Sequence, residues 1–470
     1  MTSARSHRFA PRGSGAEYRP AGERVLIVGL GKSGVAAAEL LLARGAEVWA
    51  TDRRPLAELG SEAAALERRG ARLLLGGHPA AAFAAAQRIV LSPGVPATLP
   101  ELELARSRGI PIWSEIELAY RFLRGKIVGV TGTAGKSTTA SLIGHLVRGA
   151  GRRAEVVGNI GAPASRWAAA SRPADVTVIE LSSFQLETIE RFRPHLALWL
   201  NLSAHHLDRY PSIAAYAAAK RRLFLNQRGR DWALLPAADR TVRAAARGIA
   251  ARRLLFGARH RGPGAGLRRG WIAVQRGRRV TRIAPAAEFQ LLGAHNLENA
   301  LAAVAAAQLL GVPKAALRQG LRTFRGLEHR LEPVGAVGGV RLINDSKATS
   351  VAAAALDLRC FPRDLLWIAG GIDEGADFGP LARAARHRVK RAYLIGASAN
   401  RLKQALAPAV RCELAGQLKT AVERALAAAR PGDVLLLAPA CASYDQFANF
   451  EERGRKFKEY AGLLCGKEPR

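Results

Sequence analysis

The chain has 470 residues, 49% of them hydrophobic and 23% charged, which suits a globular protein of about three domains. A formal net charge of +33 would attract polyanions, but Arg-rich runs such as RRLLFGARHRGPGAGLRRG carry no interleaved aromatics for base stacking, so nucleic acid is not an expected partner and the charge reads as an Arg- and Ala-biased composition. Four cysteines without C-x-x-C spacing (Cys360, Cys412, Cys441 and Cys465) and the lack of any apolar run near ~18 residues exclude a disulfide framework, a cysteine zinc site and a spanning helix, and they point to a reducing, cytoplasmic setting.

Residues 1–22 are basic and rich in Pro and Gly; with no apolar h-region they read as a disordered tail rather than a signal peptide. A first block is expected over 23–120. RVLIVGLGKSG is an apolar strand, a Gly-rich turn and a helix start, AEVWATD is a strand ending at Asp52, and RIVLSPG is a strand ending in a turn. Gly29, Gly31 and Gly34, followed by Asp52 at the next strand end, fit a dinucleotide fingerprint in which phosphate sits on a helix N-terminus. An NAD dehydrogenase carries the same pattern.

The second block, 121–325, opens with KIVGVTGTAGKSTT, again a strand, a glycine loop and a helix. In Gly132-Thr133-Ala134-Gly135-Lys136-Ser137-Thr138 the glycines let backbone N–H groups close on phosphate oxygens, Lys136 would reach the β- and γ-phosphates, and the Ser137 hydroxyl would ligate Mg²⁺. Val130 replaces the first glycine of the usual pattern, so the loop is a variant. Glu180 ends the strand VTVIE, where a carboxylate would hold Mg²⁺ beside the loop. His206 and Asp208 follow the strand LALWLNLS and suit a metal or phosphate role. By helical spacing alone Lys220, in AAYAAAKRRLF, is a surface lysine. The Arg/Gly-rich stretch around 257–282 predicts short strands and loops, and HNLENALAAVAAAQLLG predicts a helix stopped by Gly311 and Pro313. Two phosphate loops in one chain imply two nucleotide-bearing ligands, one of them ATP, which argues against the dehydrogenase.

The third block, 326–470, shows the strands VRLINDS, LLWIAGG, RAYLIGAS and DVLLLAPA, each ending in small or polar residues and leading into a helical segment. Strand and helix alternate over nearly the whole chain, which predicts an α/β protein with parallel sheets.

Together these motifs, in this order over about residues 23–465, resemble the Mur ligase family. T-G-T-x-G-K-S-T is common to that family and to folylpolyglutamate synthases, whereas LSPGVP (91–96), ELSSFQLE (180–187) and PACASYDQFANFEERG (439–454) look specific to the member that adds D-glutamate. The resemblance implies an N-terminal Rossmann-like UDP-binding domain, a central P-loop ATPase-type domain and a C-terminal Rossmann-like domain. It implies ATP-dependent ligation of D-glutamate to UDP-N-acetylmuramoyl-L-alanine by a cytoplasmic monomer. Lys32, Ser33, Asp52, Arg54 and Ser92 match the residues that grip UDP, and Asn159 and Gly161 lie near the UDP-sugar and its peptide stem. Gly132, Thr133, Gly135, Lys136, Ser137 and Thr138 match the ATP loop, and Asn296 and Asn299 the adenine contacts. Arg330, after His329, approaches the ATP phosphates, Asp345 the ribose, and Lys347 and Thr349 the substrate side. Ser443, Tyr444 and Phe450 fall where the amino acid binds. Two Mg²⁺ ions are implied, held by Ser137, Glu180, His206 and Lys220, the lysine as its carbamate.

In three places the chain departs from the family. Ala204 and His205 replace the usual acidic pair before the metal histidine, Glu374 stands where a basic residue normally meets the incoming glutamate, and the basic tail has no counterpart. The implied chemistry converts a carboxylate to an acyl phosphate, which the amine then attacks; it requires charge neutralisation at the γ-phosphate and a dry site closed by the third block. Other readings are a related Mur ligase or a folylpolyglutamate-synthase-like ligase that takes another amino acid, L-glutamate among them, or a non-catalytic basic nucleotide-binding protein. If Glu374 repels the glutamate carboxylate, Glu374→Lys lowers the KM for glutamate; a lower KM in the unaltered chain refutes this.

Overall fold

The computed structural model describes residues 18–204, 209–373 and 375–462. They form three sheets. The first is wholly parallel and runs in the order Arg72–Leu75, Glu47–Asp52, Arg24–Val28, Arg88–Leu91, Ile112–Ser114. Three of its five strands, Arg72–Leu75, Arg88–Leu91 and Ile112–Ser114, have four residues or fewer, too short to show a period in sequence.

The second sheet has nine strands. From one edge they are Arg279–Pro285, Trp271–Arg276, Gly264–Arg268, Arg252–Phe256, Trp232–Pro236, Leu196–Trp199, Lys126–Thr131, Val176–Glu180 and Ala154–Gly158. Its first two junctions are antiparallel and the rest parallel. The short strands expected in the Arg/Gly-rich stretch are therefore present, as an antiparallel extension of a parallel sheet. The third sheet runs Glu332–Val337, Val340–Asn344, Val434–Leu437, Leu365–Gly370, Val389–Ile395, Cys412–Gly416, and only its first pair is antiparallel.

Helices connect the parallel strands and cover both sheet faces, so the central strands read as unbroken apolar runs. Val176–Glu180 and Leu365–Gly370 are buried at every position. The expected helix at HNLENALAAVAAAQLLG spans Ala294–Leu309, and a new helix, Lys314–Thr323, starts just after Pro313.

Two compact units emerge. One holds the described residues up to Glu288 together with Glu298–Arg322, and so contains the first two sheets. A shared core joins them, with Ile27, Leu41 and Ile116 in the same cluster as Ile127, Ile179 and Trp199. The buried Glu115 accepts a 2.5 Å hydrogen bond from the Ser165 amide. The other unit holds Phe289–Leu297 and the described residues from Thr323 onward. Its sheet has one core around Trp367 and Leu394 and a second around Tyr393 and Leu437.

In the first sheet the strand order reverses direction at Arg24–Val28, which opens a crevice between the carboxyl ends of that strand and of Arg88–Leu91. The helix Lys32–Leu42 crosses there so closely that a Cβ on Gly34 would lie 1.9 Å from the Gly29 carbonyl oxygen and 2.8 Å from Ser92 Oγ. Gly34→Ala must push the helix off the strand, and it should cost about 1–3 kcal/mol of stability in a urea titration. An unchanged midpoint would show that the helix seat is loose.

Candidate functional site

The central strand Lys126–Thr131 ends in the loop that leads into the helix Lys136–Arg148. Gly132 and Gly135 take φ of 156° and 81°, and a Cβ on Gly135 would stand 2.4 Å from Asn299 Oδ1. Glycine at 135 is thus required both by the turn and by the buried Asn299 behind it. The Lys136 ammonium donates to the carbonyls of Gly132 (3.0 Å) and Thr133 (2.9 Å). Lys220 Nζ donates to the same Gly132 carbonyl at 3.0 Å.

Lys220 is only 1% exposed, which overturns the surface position that spacing alone suggests. Its helix, Ile213–Arg221, turns that face inward beside Tyr216, whose ring lies 4.5 Å from Nζ. Burial, and then the nearby Lys136 charge, bring the Lys220 ammonium down to about 7. A neutral amine is the form that adds CO₂, so this environment suits carbamylation.

Asn201, just past the strand Leu196–Trp199, braces the same loop. Its Oδ1 accepts from the amides of Thr133 (3.0 Å) and Ala134 (2.9 Å), and its Nδ2 donates to the Ala134 carbonyl (3.0 Å). Along the chain nothing local marks Asn201, in LALWLNLS, for this role. Glu180, 2% exposed, closes the neighbouring strand; its Oε1 accepts from Asn159 Nδ2 at 3.0 Å, while its Oε2 is buried with no partner. The buried Thr138 hydroxyl is unsatisfied as well. An orphaned carboxylate oxygen on the strand paired with the one that feeds the loop, together with the buried hydroxyls of Ser137 and Thr138 at the loop's end, is an all-oxygen donor set that fits Mg²⁺ and a phosphate. His206 and Asp208 lie outside the described residues.

In the first sheet the predicted UDP residues converge on the crevice. Asp52 Oδ2 accepts from the Leu30 amide at 2.7 Å, Arg54 pairs with Asp52 at 3.0 Å, and Ser92 Oγ donates to the Gly29 carbonyl at 2.7 Å. Burial works to raise the Asp52 carboxyl, but the bonds from Arg54 and Leu30 outweigh it and hold the group at about 2. Asp52 is therefore an anion across the physiological range. Lys32 is exposed and Ser33 half-buried at the mouth of the same helix.

In the second unit, Asp345 follows the strand Val340–Asn344. It accepts from the Leu331 amide at 2.9 Å, which ties the segment carrying Arg330 to the segment carrying Lys347 and Thr349. His329 sits at φ 61°, its ring edge-on to Phe450 at 6.3 Å. Lys347 Nζ lies 5.3 Å from the centre of the Phe450 ring. Ser443 is buried, Tyr444 is 72% exposed, and Thr349 is exposed. Asn296, one helical turn before Asn299, donates to the Leu292 carbonyl at 2.7 Å. Glu374 lies outside the described residues.

Two further residues hold this unit's loops. Arg453 is 1% exposed and donates to Ser346 Oγ (3.0 Å), the Ser346 carbonyl (2.9 Å) and the Cys441 carbonyl (3.2 Å), with a longer bond to Gly370 (3.4 Å). One guanidinium thereby fastens the ends of three strands. Asp357 is buried against Asp345, and burial followed by the Asp345 charge raises its carboxyl well above the ordinary range, so Asp357 keeps a proton that Asp345 shares. No local pattern in the sequence marks Arg453 as a buried clamp or Asp357 as a proton-holding acid.

Three family models match in succession: the Mur ligase MurD-like N-terminal domain over residues 23–114, the Mur ligase middle domain over 130–307, and the Mur ligase glutamate ligase domain over 329–441. The chain is similar to the UDP-N-acetylmuramoylalanine–D-glutamate ligase of Anaeromyxobacter dehalogenans, 47% identical over 94% of this chain and 97% of that one. It is similar to the enzyme of the same name from Acidobacterium capsulatum, 46% identical over 93% and 96%. In fold it resembles the MurF ligase of Thermotoga maritima solved in complex with ADP, with a TM-score of 0.59, 14% identity and coverage of 94% and 96%. Three successive domain matches and near-full-length identity make this chain a member of the Mur ligase family.

Proposed function

We propose that the chain joins D-glutamate to UDP-N-acetylmuramoyl-L-alanine, using ATP, in the synthesis of peptidoglycan precursors. The observation that carries the chemistry is the loop at Gly132–Thr138, where two lysines share one carbonyl beside an unpartnered carboxylate oxygen. The substrates follow from relatives that bear that activity's name over nearly their whole length.

In this reading residues 23–120 hold the UDP, 121–325 the ATP and 326–470 the amino acid, in a cytoplasmic monomer. Leu30, Asp52, Arg54 and Ser92 line the UDP crevice, and Asn159 orients the acyl end from the Glu180 side. The alanyl carboxylate attacks the γ-phosphorus, ADP leaves, and an acyl phosphate results. The amine of D-glutamate then adds to the carbonyl carbon, the tetrahedral intermediate expels phosphate, and the amide bond remains.

Lys136 swings from its own loop carbonyls to the β- and γ-phosphates, the backbone amides of the loop cradle their oxygens, and Arg330 adds positive charge. Ser137, Glu180, His206 and carbamylated Lys220 would hold two Mg²⁺ ions, which when bound neutralise the phosphoryl oxygens. Asn296 and Asn299 serve the adenine and Asp345 the ribose. Lys347, Thr349, Ser443, Tyr444 and Phe450 serve the amino acid.

Phosphate release from ATP with UDP-N-acetylmuramoyl-L-alanine, screened against an amino-acid panel, tests the reaction: D-glutamate should support it, and release with L-glutamate alone would sink the assignment. Lys136→Ala should lower kcat by about a hundredfold or more, since one donor to the developing charge is lost; near-normal turnover rules out its role. ¹³C-bicarbonate should yield a carbamate signal in the unaltered protein that is missing in Lys220→Arg. An identical signal in both proteins excludes Lys220 as its bearer.

A further inference from the structure

From Arg240 to Arg282 the chain carries thirteen arginines and no acidic residue. In sequence this is only a compositional bias, but folding places the stretch on the helix Arg240–Ala245, the strand Arg252–Phe256 and the antiparallel end of the nine-stranded sheet. Two hollows open there. One, of about 670 Å³, is walled by Arg261, Arg268, Arg269 and Arg282 together with Val280. The other, of about 620 Å³, is lined by Arg240, Arg243, Arg247, Arg253 and His260 among others. His260 of one and Arg261 of the other are neighbours in the chain.

Among the described residues no arginine of either hollow makes an ion pair with a carboxylate, although arginines elsewhere do so repeatedly, as in Arg193–Asp231 and Arg318–Glu288. Arg268 spends its donors on the His260 carbonyl and Gln275, and burial plus the Arg261 charge lowers its affinity for its own proton. The turn between Gly264–Arg268 and Trp271–Arg276 adds an independent sign. Its two residues, Arg269 and Gly270, have φ of 48° and 78°, a turn that favours Asn-Gly. An arginine is held there in the left-handed region, at a steric cost, and it faces the first hollow.

We propose that this surface binds a linear polyphosphate chain. Guanidinium forks match phosphate oxygens two at a time, and two arginine-lined hollows with linings that neighbour each other in the chain suit a ligand longer than one phosphate. Neither hollow is lined by Phe, Tyr or Trp that would stack a base, which disfavours single-stranded nucleic acid. The arginines line concavities rather than a projecting face, which disfavours a flat anionic membrane.

The test uses the full chain and end-labelled long-chain inorganic polyphosphate, with binding followed by fluorescence anisotropy across a salt series. The unaltered protein should bind with a steep salt dependence. The triple variant Arg268→Gln/Arg269→Gly/Arg282→Gln should bind about tenfold or more weakly and with a shallower slope, its ligation rate unchanged. Glycine at 269 relieves the turn, so this variant keeps its fold. A control of equal charge loss, Arg68→Gln/Arg108→Gln/Arg411→Gln, should bind within about twofold of the unaltered protein. Equal weakening in both variants would reduce the effect to net charge and overturn the proposal. Tighter binding of oligo-dT, or of phosphatidylglycerol vesicles, than of polyphosphate would overturn it in favour of those ligands.

Discussion

Two lysine nitrogens, the Nζ atoms of Lys136 and Lys220, point at a single carbonyl, that of Gly132, and the Lys136 charge, after burial, helps bring Lys220 down to about 7. Such a pair repels itself, and it is held only because the surrounding fold fixes both ends: Lys136 opens a helix, and Lys220 is locked in the buried face of another. Positive charge concentrated on a loop of backbone amides calls for an anion, and the vacant oxygen of Glu180 nearby calls for a cation. A nucleotide phosphate with its metal answers both demands. The braces around the loop, Asn201 in front and Asn299 behind, keep the amides aimed while neither charge is yet neutralised.

The parallel sheets explain why these groups meet. Strands that run the same way deliver their carboxyl ends to one edge, so residues far apart in sequence arrive together without any long loop. In the first sheet this places Asp52 and Ser92 on either side of the Gly29 turn. In the second it sets Glu180 and Asn201 on the two strands flanking the phosphate loop. In the third it lets one buried guanidinium, Arg453, bond the ends of three strands at once. The cost of burying that charge is offset only because every visible donor finds a carbonyl or hydroxyl.

The antiparallel end of the second sheet obeys a different rule. Those strands, with the helix Arg240–Ala245 and the strand Arg252–Phe256 beside them, carry arginines that line two hollows and, among the described residues, have no carboxylate partner. The same residue type that is neutralised by carboxylates elsewhere in the molecule is left uncompensated here, so the charge is patterned and not merely abundant.

The sequence by itself determined the elements whose signal is local. The phosphate loop, the first glycine turn with Asp52, the helix stopped before Pro313 and the α/β alternation all rest on residues within a turn or two of one another, where backbone geometry dictates residue type. The tertiary structure alone decided what depends on distant partners. Lys220 lies 88 residues from the carbonyl it binds, Asn201 lies 68 from Thr133, and Arg453 lies 107 from Ser346. Read along the chain, each is an ordinary polar residue on a helix or in a loop. Only packing removes their water and leaves them one another as partners, and that desolvation, which no local pattern encodes, turns a surface lysine into a buried amine.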